Sequence, residues 1–239
     1  MNSLRPLCLA FALAVGTLFG ALGAPHQVAL AAPLPPPECR YQDVMTRHNG
    51  TGDWRISLLD PIYMVSRNYV PTGLVSVSRA NIQGGGYVRK SIIADLAAMA
   101  AAARKAGAPL RVTSAYRSWN QQRSLYQQEV RRYGEKVGRE SVARPGHSEH
   151  QLGTTIDFTS GGSSKKAWAY NNWANTKSGS WIKANGWRYG FLLSYPDGKK
   201  GVTCYRYEPW HYRYVGREMA ADVRATRLTL REYLWKHHH

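Results

Sequence analysis

Ser148-Glu149-His150-Gln151-Leu152-Gly153-Thr154-Thr155-Ile156-Asp157 is the stretch from which the fold can be read. The residues before it, Arg144-Pro145-Gly146-His147, cannot continue a regular helix. Pro145 lacks a backbone donor, and Gly146 favours turn conformations. The segment is therefore a loop. It leads into a β-branched run, Thr154 to Thr159, whose composition predicts a strand with Asp157 in its middle. A histidine at the mouth of a strand and a carboxylate within it are thus seven residues apart.

Working outward, Pro109 to Tyr116 reads as a second strand, with Leu110, Val112 and Ser114 on one face. Ser118 caps a helix ending at Gly134, which leaves Arg117 at a strand-to-helix corner. Ser91 is placed to cap an earlier helix running through Ile92, Leu96 and Met99 to Lys105, with Gly107 as its left-handed terminator. Downstream, Ser164 to Asn185 has helical spacing with Trp168, Trp173 and Trp181. Trp187 to Tyr195 and Val202 to Tyr207 read as strands around the turn Pro196-Asp197-Gly198, and Gly216 to Trp235 as helix. Asp53 to Ser78 reads as turns and short strands. No internal repeat is visible.

The first residues carry Arg5 as their only Lys, Arg, Asp or Glu through Ala31, and an uncharged apolar run extends from Leu7 to Leu22. This pattern predicts a signal peptide over residues 1–31, cleaved after Gly23 or after Ala31. The run is shorter than the ~20 residues a spanning helix needs and is broken by Gly16 and Gly20, so no stable membrane insertion is expected after cleavage. Residues 32–38 form a proline-rich linker, and one folded domain is predicted over 39–236. His237, His238 and His239 end the chain as a native tail or a tag remnant.

Export bears on the three cysteines. Cys8 leaves with the leader, and Cys39 and Cys204 are expected to pair in an oxidising compartment; two buried thiols or two zinc ligands are the alternatives. The net charge of +17 implies anionic partners such as acidic cell-wall polymers, with solubility alone as the competing explanation. The basic residues are scattered rather than gathered along one helix or arm, which argues against nucleic acid. The domain is expected to be a monomer.

Histidine and acid coincide twice. His150 precedes Asp157, and Glu208 precedes His211 with Pro209 and Trp210 between them, in a chain with only 15 acidic residues. A catalytic zinc site takes three protein ligands from imidazole nitrogen and carboxylate oxygen and leaves a position open. His150, Asp157 and His211 satisfy that count, leaving Glu208 as a general base. Each pair alone could equally be accidental, the histidines serving packing and Glu-Pro-Trp-His a simple turn.

A resemblance adds what spacing leaves open. Ser148 to Asp157 resembles the S-x-H-x-x-G-x-A-x-D motif of VanY-type D-alanyl-D-alanine carboxypeptidases, within the LAS group of zinc metallopeptidases. Glu208-Pro209-Trp210-His211 matches their E-x-W-H. Ser114-Ala115-Tyr116-Arg117-Ser118-Trp119 resembles their S-x-Y-R-S-[YW] box, and Gln122 stands where they keep a glutamine. The resemblance spans roughly Trp54 to Gly216. It implies an α+β domain of LAS type: a small antiparallel sheet with Asp157 and the Glu208–His211 segment at one end and helices mainly on the other face.

By the same resemblance, one Zn2+ is held by His150, Asp157 and His211, Glu208 is the base, and Arg117 binds an oxyanion or substrate carboxylate. Gln122 and Ser148 bond the substrate, a peptidoglycan stem peptide. His147 is not a ligand. Tyr189, Tyr207 and Trp210 are close enough to the motifs to line the cleft. The expected reaction removes a terminal D-alanine; an endopeptidase, or a non-catalytic module like the hedgehog branch, is the alternative. Two positions depart from the pattern: the motif's alanine is Thr155, and the glycine often found before Y-x-Y-E-P-W-H is Cys204.

Overall fold

The computed structural model describes residues 34–170 and 172–239. The predicted leader, its cleavage sites and Cys8 lie outside the described residues. A five-stranded sheet organises the domain. Its strands are β1 (Gln83–Gly84), β2 (Leu110–Ser114), β3 (Thr155–Ser160), β4 (Phe191–Leu193) and β5 (His211–Tyr214), in the order β1-β2-β3-β5-β4. All neighbours are antiparallel except β1, which runs parallel to β2 and makes the sheet mixed at that edge.

Alternation along the strands separates two faces. Ile156 and Phe158 of β3 and Tyr212 and Tyr214 of β5 enter the main core, together with Leu96, Met99, Ala100 and Ala103 of helix α1 (Ile93–Lys105). Asp157, His211 and Arg213 lie at the intervening positions and so face the opposite side. That face is flanked by α2 (Trp119–Tyr133) and α3 (Glu135–Ser141). A second cluster, Leu58, Val215, Ala220, Val223, Leu230 and Leu234, seats the C-terminal helices against the N-terminal segment.

Several local expectations hold for stated physical reasons. Ser118 accepts from the Gln121 amide and Gln121 answers onto the Ser118 amide, a reciprocal cap that starts α2 and leaves Arg117 outside it. Gly107 adopts φ 67° after α1. Cys39 and Cys204 are bonded, with Cα atoms 5.4 Å apart.

Others are corrected. Lys90–Ile92 forms a 3-10 turn, so α1 starts without a side-chain cap from Ser91. Among the described residues of the tryptophan-rich stretch the α-helix is confined to α4 (Lys177–Asn185), where Thr176 caps it, while Ala167–Ala169 and Trp173–Asn175 are 3-10 turns that place Trp173 in the core. Gly190, at φ 84°, ends the turn Gly186–Tyr189 and confines β4 to three residues. The expected strand from Val202 is instead the short helix Lys200–Thr203, closed by Cys204 in the left-handed region (φ 69°). That conformation explains a glycine at this position in the resembled motif. Arg227, at φ 58°, divides the last helical run into α5 (Arg217–Thr226) and α6 (Leu230–His238).

Candidate metal centre and cleft

Three elements converge on one point. Register pairs Asp157 on β3 directly with His211 on β5, and Ser114 on β2 lies on the other side of Asp157. His150 comes from the 3-10 turn Glu149–Leu152, which Gly153 closes at φ 74°. A Cβ there would stand 3.0 Å from Pro71 Cγ and 3.2 Å from Leu74 Cδ2, so both conformation and space demand glycine. Arg89 clamps the turn by donating to the Leu152 carbonyl at 2.8 Å.

His150, Asp157 and His211 are all buried, and one ligand atom from each lies within 4.8 Å of the others. His150 Nε2 is 3.3 Å from Asp157 Oδ2, and His211 Nδ1 is 3.4 Å from Asp157 Oδ1. Ligand atoms about 2.1 Å from a tetrahedral ion are separated by roughly 3.4 Å, so this spacing suits zinc. The outward nitrogens are occupied. His150 Nδ1 donates to the Ala115 carbonyl at 2.6 Å, and His211 Nε2 donates to Glu149 Oε2 at 2.9 Å. His150 Nε2 and Asp157 Oδ1 are left buried without a hydrogen-bond partner. Buried polar atoms facing one point are what a cation would satisfy.

Glu208 stands at the mouth of this group, its Oε2 3.4 Å from His211 Nδ1. The turn is held because the Glu208 amide donates to the Tyr195 carbonyl and the His211 amide to the Glu208 carbonyl. Burial pushes the Glu208 carboxyl up to about 7, against the lowering influence of His211. Asp157 is moved the other way: burial disfavours its charge, but His150 and His211 outweigh that and hold it ionised. Burial also works against the His211 cation, yet the adjacent carboxylates of Asp157 and Glu149 raise its pKa.

A cleft of about 620 Å³ opens over these groups, lined by Arg117, Ser148, Asp157, Glu208 and His211. Tyr195, Tyr207, Trp168 and Trp210 supply aromatic wall, and Leu125, Gln128, Glu129 and Arg132 of α2 form the opposite side. Arg117 Nε is buried with no partner, available to a ligand anion. Gln122 is not in the lining: its Nε2 donates to the Ala143 carbonyl at 2.6 Å, behind a residue that is. His147 is spent elsewhere, on the Asp60 carbonyl and Asp43. Tyr189 packs on Trp181 rather than on the cleft, because the Gly190 turn carries the chain away.

The residue that motif reading passes over is Glu149. It is buried and accepts bonds from His211, Ser194 Oγ at 2.6 Å and Arg213 Nη1 at 3.0 Å. One signal was present in the sequence: Arg213 is two residues after His211 on a strand, hence on the same face.

Comparison with known proteins fits this geometry. The family profile described as VanY, D-alanyl-D-alanine carboxypeptidase, matches residues 85–217. A D-alanyl-D-alanine carboxypeptidase of Enterococcus faecium is 32% identical over 186 residues, covering 74% of this chain but only 56% of that protein. Among solved structures, the LdcB LD-carboxypeptidase, described with its recognition of peptidoglycan, superposes with a TM-score of 0.68 at 35% identity, over 75% of this chain and 85% of that one. The vancomycin-resistance D,D-pentapeptidase VanY in complex with Zn(II) gives 0.64 at 30% identity, over 76% and 99%.

Proposed function

The chain belongs to the VanY D-alanyl-D-alanine carboxypeptidase family, and from that premise we propose that it is a secreted, zinc-dependent carboxypeptidase removing the terminal D-alanine of peptidoglycan stem peptides. The observation that carries this reading is the buried His150, Asp157 and His211 group with Glu208 beside it at the base of a cleft. His150 Nε2, an Asp157 oxygen and His211 Nδ1 would hold the ion. Zinc, when bound, supplies Lewis acidity, lowering the pKa of a water to about 7 and polarising the scissile carbonyl.

The chain's own groups perform the proton transfers. Glu208 orients the attacking water, accepts its proton, and returns a proton to the departing amine. Arg117 places its guanidinium against the developing oxyanion or the substrate's terminal carboxylate. Ser148 hydrogen-bonds the substrate from the cleft wall, and Gln122 shapes that wall through Ala143. The aromatic wall seats the peptide chain. Retention of Glu208 beside the three ligands favours an enzyme over a binding module, which needs no base.

Among the described residues no helix is long and apolar enough to cross a membrane. The excess of basic residues suits a cell wall carrying acidic polymers, where the protein acts as a monomer. The test is release of D-alanine by the zinc-loaded protein from a stem pentapeptide ending in D-Ala-D-Ala. The tetrapeptide, cut at an L,D bond, serves as the competing substrate because of the likeness to LdcB. Hydrolysis of neither would refute the proposal, and hydrolysis of the tetrapeptide alone would replace it with an L,D activity.

A further inference from the structure

We propose that Glu149 is a positioning residue of the metal centre: its carboxylate holds His211 in the tautomer that carries its proton on Nε2 and presents Nδ1 to the ion. The inference rests on the zinc reading above and deepens it. Glu149 lies outside the candidate ligand group and outside the cleft lining.

The geometry is closed on every side. Glu149 Oε2 accepts from His211 Nε2 at 2.9 Å and from Ser194 Oγ at 2.6 Å, while Oε1 accepts from Arg213 Nη1 at 3.0 Å. Arg213 is itself held by the backbone. It is fully buried, and its Nη2 donates to the carbonyls of Trp54 and Ser57, both at 2.8 Å. The carboxylate therefore cannot swing away from His211 without breaking an ion pair in the interior. A buried carboxylate is costly unless well bonded, and here three donors bond it.

The two histidines are backed differently. His150 is oriented by a neutral carbonyl, that of Ala115, whereas His211 is oriented by a carboxylate. Outer partners of this kind set ring orientation and raise ligand basicity, and their loss typically weakens metal binding by about 10–100-fold. Because Glu149 adjoins His150 in the chain, one 3-10 turn supplies both a ligand and the group that aims another ligand. Arg213, two residues beyond His211 on β5, reaches the same carboxylate from the same strand face.

The alternative is a purely structural ion pair between Glu149 and Arg213, and two variants separate the roles. Glu149→Gln keeps the side-chain length but removes the charge. Glu149→Asp keeps the negative charge in the interior but withdraws it by one methylene from His211 and Arg213 alike. The readouts are zinc dissociation constant by chelator competition, the visible spectrum of the cobalt(II)-substituted protein, and the melting temperature after chelation. Both variants are expected to raise the zinc dissociation constant about 10–100-fold and to shift the cobalt bands, whereas a purely structural ion pair would lower the melting temperature and leave zinc affinity and cobalt bands unchanged. Parent-like zinc affinity and cobalt spectra in a folded Glu149→Asp would overturn the inference. A parent protein that bound no zinc would overturn the functional reading beneath it, so the two failures are distinguishable.

Discussion

Asp157 and His211 are direct register partners on β3 and β5, and this pairing brings Asp157 Oδ1 to 3.4 Å from His211 Nδ1. A slip of one residue in that register would send one of the two side chains to the helix-packed face, because strand side chains alternate. The candidate metal group is therefore fixed by the backbone ladder as well as by the side chains that compose it.

Glu208 is expected to separate chemistry from metal binding. Glu208→Gln cannot accept the proton, so D-alanine release should fall at least ~10²-fold while zinc content stays near stoichiometric. His211→Ala removes a candidate ligand, and zinc content and turnover should drop together. Metal analysis beside a turnover assay on both variants checks this. Full activity in Glu208→Gln would assign the base to another group.

The pH profile follows from the same residue. Burial holds the Glu208 carboxyl up at about 7, and only its ionised form can accept a proton. Activity must therefore fall as pH drops through the Glu208 value, and the positive charge of a bound zinc lowers that value further. The acidic limb of kcat/KM should lie at or below about 7 and be absent from the residual rate of Glu208→Gln. The same acidic limb persisting in the residual rate of Glu208→Gln would contradict this assignment.

Reducing the Cys39–Cys204 bond frees the chain's entrance from the segment just ahead of Glu208. Across a sequence separation of 165 residues, loss of the crosslink should cost about 2–5 kcal/mol. Thermal melts with and without reductant measure it. An unchanged melting temperature would show that the crosslink does not govern stability.

Gly153→Ala places a methyl against Pro71 and Leu74 at a backbone conformation disfavoured for L-residues. The left-handed conformation alone should cost roughly 1–2 kcal/mol, with crowding adding to it. Denaturant titration would read the loss, and zinc affinity should weaken as well because this turn carries His150.

Much of the site was legible locally. Pro145-Gly146 makes a loop, Thr154 to Thr159 makes a strand, and Ser118 starts a helix through contacts with its own neighbours. These are short-range preferences, so residue order determined them. Candidate ligands could be named with the same directness, because ligand chemistry restricts which side chains can serve.

Only the tertiary structure decided the rest. The left-handed Cys204 and the α5/α6 break at Arg227 depend on chain reversals that composition does not encode. The three tryptophans between Ser164 and Asn185 share a helical spacing yet part company, Trp173 into the core and Trp168 onto the cleft, because distant segments claim them. Glu149 is the clearest case. Its partners Ser194, His211 and Arg213 are far along the chain, and the contacts that give a buried carboxylate its place exist only once β4, β5 and the His150 turn have come together.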